Sequence, residues 1–392
     1  MGLWLVGEER RGRAGASRFA PEAEADTVRP TLLIAAISLL LAGLPARAAT
    51  DPAYIVVDVG KGTVLAHDNS DRRWAPASVT KVMTAYLTFQ ALKTGQLKLT
   101  SPVVVSANAA KEPPSKMGYK PGTVLTVDNA LKMMLVRSAN DIAIALGETV
   151  GGSEANFVKM MNAQAQRLGM NGTSFRNPNG LPAEGQYSTA RDLAVLARAI
   201  WMQFPEYRDY FRIPAIRAGN KVLRNYNTLV DHYRGANGMK TGFICASGFN
   251  VVASATKNGR TLIAVVLGET SANQRAVTAA GLLDKGFNGG LGNILGQNLA
   301  NFRKEPSPAP PANLYEEICG KSREKGEADT VVASLGPRFE TMPPVAVFTG
   351  GADPAPGKAS PAMAAGEVSI PLPRLRPQYP AGAAAASQSV SQ

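Results

Sequence analysis

The chain has 392 residues, 45% of them hydrophobic and 18% charged, with a formal net charge of +12. Such a composition excludes a wholly disordered chain and allows one large core or two. The positive balance suits an anionic setting, a membrane surface or an acidic wall polymer. Without a basic block interleaved with aromatics, nucleic acid is not expected as a partner. Its only histidines, His67 and His232, have no metal-ligand spacing, so no metal and no cofactor are expected.

Arg29 precedes an apolar run from Thr31 to Leu44, and Ala46-Arg47-Ala48 follows with the small residues that a signal peptidase reads. At about 14 residues the run falls short of the roughly 20 that cross a bilayer. Residues 1–48 are therefore expected to be an N-terminal extension and a cleaved export signal. The polar stretch Met1 to Val28 makes a long n-region, which translation beginning near Val28 explains. Export implies a periplasmic or cell-envelope protein, soluble or peripherally associated with membrane or wall. It also places Cys245 and Cys319 where a disulfide is permissible, and a bridge and two separate thiols both fit the sequence.

Alternation in Tyr54 to Gly60 and Thr63 to Asp68, around Gly60-Lys61-Gly62, predicts a hairpin. Ala77 to Leu92 has helical spacing, with Ser78 in its first turn. Asp128 reads as the N-cap of a second helix through Val136, and Ile142 to Val150 as a third, with Ser138-Ala139-Asn140 as the break between them. A helix is expected over Glu154 to Leu168, a turn-rich stretch over Gly172 to Gly185, and a helix again over Thr189 to Trp201. Gly248 to Thr256 and Thr261 to Leu267 read as strands joined by Lys257-Asn258-Gly259-Arg260, and Ala272 to Phe287 as a closing helix.

Strands at both ends with helices between predict an α+β fold. It consists of an antiparallel sheet of about five strands drawn from both ends of the domain, plus a helical subdomain. That domain is expected over 49–290. A linker with a semi-ordered piece at Leu314 to Cys319 follows over 291–335, and a disordered Pro/Ala/Gly-rich tail over 336–392.

Three short motifs carry the chemistry. Ser78 and Lys81 spell S-x-x-K, Ser138 and Asn140 spell S-x-N, and Lys240-Thr241-Gly242 spells K-T-G. Each spelling recurs elsewhere in the chain. Ser254 and Lys257 repeat the first on a strand, where residues three apart face opposite ways, and Ser322 and Lys325 repeat it in a charged segment after the domain. Ser106 and Ser271 begin copies of the second that helix capping explains, and Lys93-Thr94-Gly95 ends a helix. Only the set at Ser78, Ser138 and Lys240 falls on a helix start, an interhelical break and a strand start. These three elements are expected to converge on one cleft, with Ser78, Lys81 and Ser138 within hydrogen-bond reach.

With Ala77-Ser78-Val79-Thr80-Lys81, Met134 to Asp141, Asn177 to Pro182 and Gly238 to Phe243, the chain from about Ala49 to Gly290 resembles a penicillin-binding family. The family is that of the serine-type D-alanyl-D-alanine carboxypeptidases of low molecular mass, within the DD-peptidase and β-lactamase superfamily. The resemblance implies removal of the terminal D-alanine from peptidoglycan stem peptides through an acyl-enzyme, and acylation by β-lactam antibiotics. It casts Ser78 as nucleophile, Lys81 as its base and Ser138 as a proton relay, with Asn140 holding Lys81 and the substrate amide. Lys240 and Thr241 would bind the terminal carboxylate beside Gly242, with Arg275 as a second cation, and the N–H groups of Ser78 and Phe243 would form the oxyanion hole. Arg275 also reads as a solvated helix arginine.

Asn237 stands where relatives often carry an acid, which would alter the charge near Lys240. Ala383 to Gln392 is small and polar, unlike an anchor helix. The rival activities are a D,D-endopeptidase cutting cross-links, a β-lactamase with Glu184 as its deacylating acid, and a non-enzymatic penicillin-sensing or wall-binding protein.

Overall fold

The structure, a computed structural model, describes residues 51–289, 296–303, 305–320 and 335–351. The expected export segment, the Ser322 and Lys325 pair and the tail beyond residue 351 lie outside them.

The hairpin predicted at Gly60-Lys61-Gly62 joins β1 (Ala53–Asp58) to β2 (Val64–Asp68), and Gly62 takes the positive φ that the turn requires. Ser78 departs from expectation. It lies in a 3-10 turn, Ala77–Thr80, and the α-helix α1 (Lys81–Lys93) begins only at Lys81. The short strands β3 (Pro102–Val104) and β4 (Val124–Thr126) pair with each other ahead of helix α2 (Val127–Arg137).

The cap of α2 is Thr126 rather than Asp128. The Thr126 hydroxyl accepts from the Asn129 N–H, while the Asp128 carboxylate accepts from Lys132 and Tyr210. Two other donors thus compete successfully for the expected capping group. Helices α3 (Asn140–Gly151), α4 (Glu154–Arg167) and α5 (Ala190–Gln203) follow.

After strands β5 (Ala215–Ala218) and β6 (Lys221–Arg224) the chain returns to the main sheet. Its last three strands are β7 (Ala236–Ile244), β8 (Gly248–Lys257) and β9 (Arg260–Glu269). The predicted turn is there: Lys257 pairs with Arg260, and Asn258 and Gly259 both take positive φ, as a two-residue hairpin loop demands. Helix α6 (Ala272–Phe287) closes the unit within its expected bounds.

The sheet order is β2-β1-β9-β8-β7, antiparallel throughout, so β1 from the start of the domain lies against β9 from its end. Period-two alternation sorts the sheet's side chains into two cores. Ile55, Val57, Ile263 and Val265 face the larger helical core, whereas Val56, Val251, Ala253, Leu262 and Ala264 face α6. Each fully buried Leu or Ile, such as Leu193 and Ile200 of α5, contributes about 1.5–3 kcal/mol, against about 0.2–1 kcal/mol for a surface ion pair such as Lys257 with Asp284. Sheet-to-helix packing therefore holds the fold.

Beyond the domain, residues expected to be linker are docked. The buried Arg191 guanidinium donates to the carbonyls of Phe302 and Leu299, and the Leu299 N–H reaches Gly62. A short helix at Tyr315–Cys319 carries Cys319 into a disulfide with Cys245, which settles the pairing that the sequence left open. Part of the segment expected to be tail also forms a strand: β10 (Val345–Val347) pairs in parallel with β5, and the Gly350 N–H donates to Val124. β10 is read poorly from composition because the neighbouring strand, not its own three residues, satisfies its backbone.

The disulfide spans 74 residues of sequence. Replacing Cys245 and Cys319 together by Ser is expected to lower the unfolding free energy by about 2–4 kcal/mol, read as a lower urea midpoint with the circular dichroism spectrum retained.

Candidate active site

The polypeptide must bend sharply to present Ser78. Ala77 has φ +48°, rare for a residue with a Cβ, and the turn that follows leaves the Ser78 side chain at the wall of a cleft of about 340 Å³. Two glycines make room for that turn. A Cβ on Gly180, which has φ +84°, would lie 1.8 Å from the Ala77 carbonyl oxygen. A Cβ on Gly242 would lie 3.0 Å from the backbone nitrogens of Ser78 and Val79. The strand carrying Lys240-Thr241-Gly242 is thereby pressed against the serine turn, with the Ser78 N–H beside it.

Lys81, one turn on, is completely buried. Its Nζ lies 2.8 Å from Ser78 Oγ, 2.8 Å from Asn140 Oδ1 and 2.6 Å from the Asn179 carbonyl oxygen. Burial, and next the Lys240 ammonium, hold the Lys81 amine well below the ordinary lysine range, while Glu112 and Asp141 oppose them. A neutral amine has two N–H donors and one lone pair. The Asn179 carbonyl can only accept, and Asn140 Nδ2 is committed to Pro113 O at 2.9 Å, so Asn140 Oδ1 also accepts. Of the three partners only the Ser78 hydroxyl can donate, so the lone pair of neutral Lys81 faces the serine proton.

Ser138 caps α2 in left-handed backbone at φ 57°. Its hydroxyl accepts from Lys240 Nζ at 2.9 Å, and the same ammonium donates to Thr241 O at 2.8 Å. The expected contact of Ser138 with the Ser78 and Lys81 pair is thus replaced by one with Lys240, across a shared cleft. Burial, together with the nearby Arg275 charge, brings the Lys240 ammonium down to about 7. Arg275 is not a solvated arginine. It is 6% exposed and lines the cleft, with its own ionisation pulled down to about 10 by burial.

Ser78, Ser138, Asn140, Thr241, Gly242, Phe243 and Arg275 all line this cleft, with Lys81 and Lys240 buried beside it. Phe243 is 42% exposed and stacks on Phe249 at 4.3 Å between ring centroids. The duplicate motifs among the described residues serve structure. Ser106 and Ser271 each accept a capping bond, from Ala109 N–H and Gln274 N–H, and Gly95 ends α1 with positive φ. Ser254 donates to Asn237, whose amide donates to Thr256, so Asn237 is held along the sheet. Among the described residues no cluster suited to a metal ion occurs, and no helix is long and apolar enough to cross a membrane.

Glu112 carried no sequence signal. It accepts from Asn179 Nδ2 at 2.6 Å and so steadies the residue whose carbonyl holds Lys81, while burial raises its own carboxyl. Asn179 belonged to a recognisable turn, but only folding brings its carbonyl to the lysine. Glu184 lies outside the cleft, on an adjoining hollow.

A family model described as Peptidase_S11, D-alanyl-D-alanine carboxypeptidase, matches residues 44–271. The D-alanyl-D-alanine carboxypeptidase DacC of Escherichia coli (strain K12) is 40% identical over 248 residues, covering 60% of this chain and 60% of that protein. Penicillin binding protein 5 from Haemophilus influenzae superposes with a TM-score of 0.59 at 34% identity, covering 63% of this chain and 73% of that one. Penicillin-Binding Protein D2 from Listeria monocytogenes, in its cefotaxime-bound form, superposes with a TM-score of 0.55 at 29% identity, covering 62% of this chain and 100% of that one. The chain spans about 60% of the length of the curated relatives it matches.

Gly180→Ala is expected to cost more than the roughly 1–2 kcal/mol of left-handed backbone alone, because the added Cβ meets the Ala77 carbonyl. Gly95→Ala, also at positive φ but with nothing within 4 Å, should cost only the backbone part. Thermal midpoints of the two variants measure the difference.

Proposed function

This chain belongs to the D-alanyl-D-alanine carboxypeptidase family, and on that premise we propose that it is a serine peptidase removing the terminal D-alanine from peptidoglycan stem peptides. The observation that carries the reading is the Lys81 amine, buried and 2.8 Å from Ser78 Oγ. Ser78 Oγ attacks the carbonyl of the penultimate D-alanine while its proton passes to the Lys81 lone pair. The carbonyl oxygen gains negative charge and accepts from the backbone N–H groups of Ser78 and Phe243, donors that are each worth roughly 3–4 kcal/mol in comparable acyl transfers. That proton passes on from Lys81 to the leaving amine with Ser138 as relay, the C–N bond breaks, and D-alanine departs. Water then attacks the ester on Ser78, giving up its proton to Lys81; the bond to Oγ breaks, Lys81 returns the proton to Oγ, and the shortened peptide leaves.

Substrate positioning falls to the cationic end of the cleft. Lys240, Thr241 and Arg275 receive the terminal carboxylate, and Asn140 holds Lys81 and the substrate amide. Penicillins and cephalosporins are strained cyclic amides that bear a carboxylate, so the same groups open the β-lactam ring and leave an acyl-Ser78. The cefotaxime-bound Listeria relative supports this part of the reading. An exported, periplasmic or cell-envelope location accords with the apolar run Thr31 to Leu44 ahead of the domain and with the oxidised Cys245–Cys319 pair. Peripheral contact with membrane or wall accords with the +12 charge.

Covalent labelling by a fluorescent penicillin tests the acyl-enzyme. The wild type should carry the label through denaturing electrophoresis and Ser78→Ala should carry none; an unlabelled wild type would sink the reading.

The pH dependence of kcat/KM has a sign on each side. Lys81 acts only as the free amine, so activity is lost as pH falls through its depressed value. Lys240 binds carboxylate only as the ammonium, so activity is lost as pH rises through about 7. A peptide ending in a carboxamide should lose the alkaline limb and keep the acid one, as initial rates of release of the C-terminal amino amide across the range would measure.

A further inference from the structure

The end of the sheet opposite the Ser78 turn carries a hollow of about 510 Å³ that the acyl-transfer chemistry does not use. Four segments build it. They are the end of β1 with its turn, from Asp58 to Lys61, Trp201 of α5, Arg208 of the 3-10 segment Pro205–Arg212, and the β8–β9 turn from Asn258 to Thr261. Phe249, at the start of β8, lines the catalytic cleft, and Asn258, just past the end of that strand, lines this hollow. At about 3.3 Å per residue, the strand between them puts the two sites roughly 30 Å apart.

Positive charge dominates the lining. Lys61, Arg208 and Arg260 stand against one lining carboxylate, that of Asp58, and both of its oxygens are engaged. Asp58 Oδ2 accepts from Arg260 Nε at 2.7 Å, and Oδ1 accepts from the Lys61 backbone N–H at 2.9 Å. The acid thereby fixes one guanidinium and the turn that carries the exposed lysine, and the lining keeps an excess of positive charge. Arg208 is braced as well: its guanidinium donates to the Trp201 carbonyl and lies 4.6 Å from the Trp201 ring centroid. Trp201 itself is 8% exposed, and no described residue accepts from its indole N–H, a group that can only donate. An ammonium, two braced guanidiniums and an indole donor call for an anion with several acceptor oxygens. A phosphate group supplies them, and the planar fork of a guanidinium matches two of its oxygens at once.

We propose that this hollow binds a phosphate group, of a lipid headgroup or of a soluble phosphate ester, with Lys61, Arg208, Arg260 and the Trp201 indole as its donors. Occupancy leaves Ser78 accessible, because the cleft lies at the other end of the sheet. A headgroup seated here turns the cleft away from the lipid surface. The inference does not depend on the carboxypeptidase reading.

The test titrates the full chain with inorganic phosphate at pH 7 and follows tryptophan emission, with potassium chloride at equal ionic strength as the control. The wild type should give a saturable change that chloride does not produce and that Trp201→Phe abolishes. Lys61→Glu, in an exposed turn, should raise the apparent Kd by about threefold or more, as reversal of an exposed charge contact gives, and Arg208→Gln should raise it as well. Circular dichroism checks that each variant is folded, so the result stands whether or not the protein labels with penicillin. Sedimentation with vesicles of phosphatidylglycerol and phosphatidylcholine in equal parts, against phosphatidylcholine alone, separates the two sources. Lys61→Glu lowers the fraction bound to the anionic vesicles where the phosphate is a lipid's, and leaves it at the wild-type level where it is a soluble ester's. A wild-type response to phosphate no different from that to chloride, or a phosphate affinity unchanged in both folded variants, would overturn the site and leave the carboxypeptidase reading intact.

Discussion

The site depends on one buried nitrogen. An ammonium taken out of water costs several kcal/mol unless its partners compensate, and a lysine beside a second cation relieves that cost most readily by giving up its proton. Lys81 sits among three hydrogen-bonding partners and close to Lys240, so the fold itself favours the neutral amine. Those partners come from three places in the chain, the Ser78 turn, the start of α3 at Asn140 and the loop at Asn179. Lys240 adds a fourth from β7. The separate elements are held together by the same contacts that tune the lysine.

Close approach is the second requirement, and backbone conformation meets it. Gly180 and Gly242 leave space that no larger residue could leave, and Ser138 takes a left-handed conformation that turns the chain from α2 into α3. Lys240 and Arg275 stand together at the cleft, where burial and then the Arg275 charge bring the Lys240 ammonium down, while Glu184 lines the neighbouring hollow.

Much of the scaffold was legible because its signals are local. Alternating Val and Ile in β1 and β9, the Asn258-Gly259 turn and the full extent of α6 follow from periodicity and turn chemistry within a few residues. Where a local signal had competitors it misled. Asp128 has the right chemistry for a cap, yet Lys132 and Tyr210 claim its carboxylate and Thr126 does the capping. β10 had no signal of its own, since its hydrogen bonds are supplied by β5 from more than a hundred residues earlier.

The sequence by itself determined the motif residues, their order and the break between helices that holds Ser138, because spacing and capping are properties of neighbouring residues; Ser78 instead falls in a 3-10 turn ahead of its helix, and Lys240 within β7 rather than at its start. Helix capping likewise accounted for the copies at Ser106 and Ser271. Only the tertiary structure decided that Ser138 would bond Lys240, that Arg275 would be buried in the cleft, that Cys245 would reach Cys319, and that Glu112 would stand behind Asn179. These are meetings between side chains far apart in the chain. They depend on how helices and sheet pack, and no local pattern of residues encodes that.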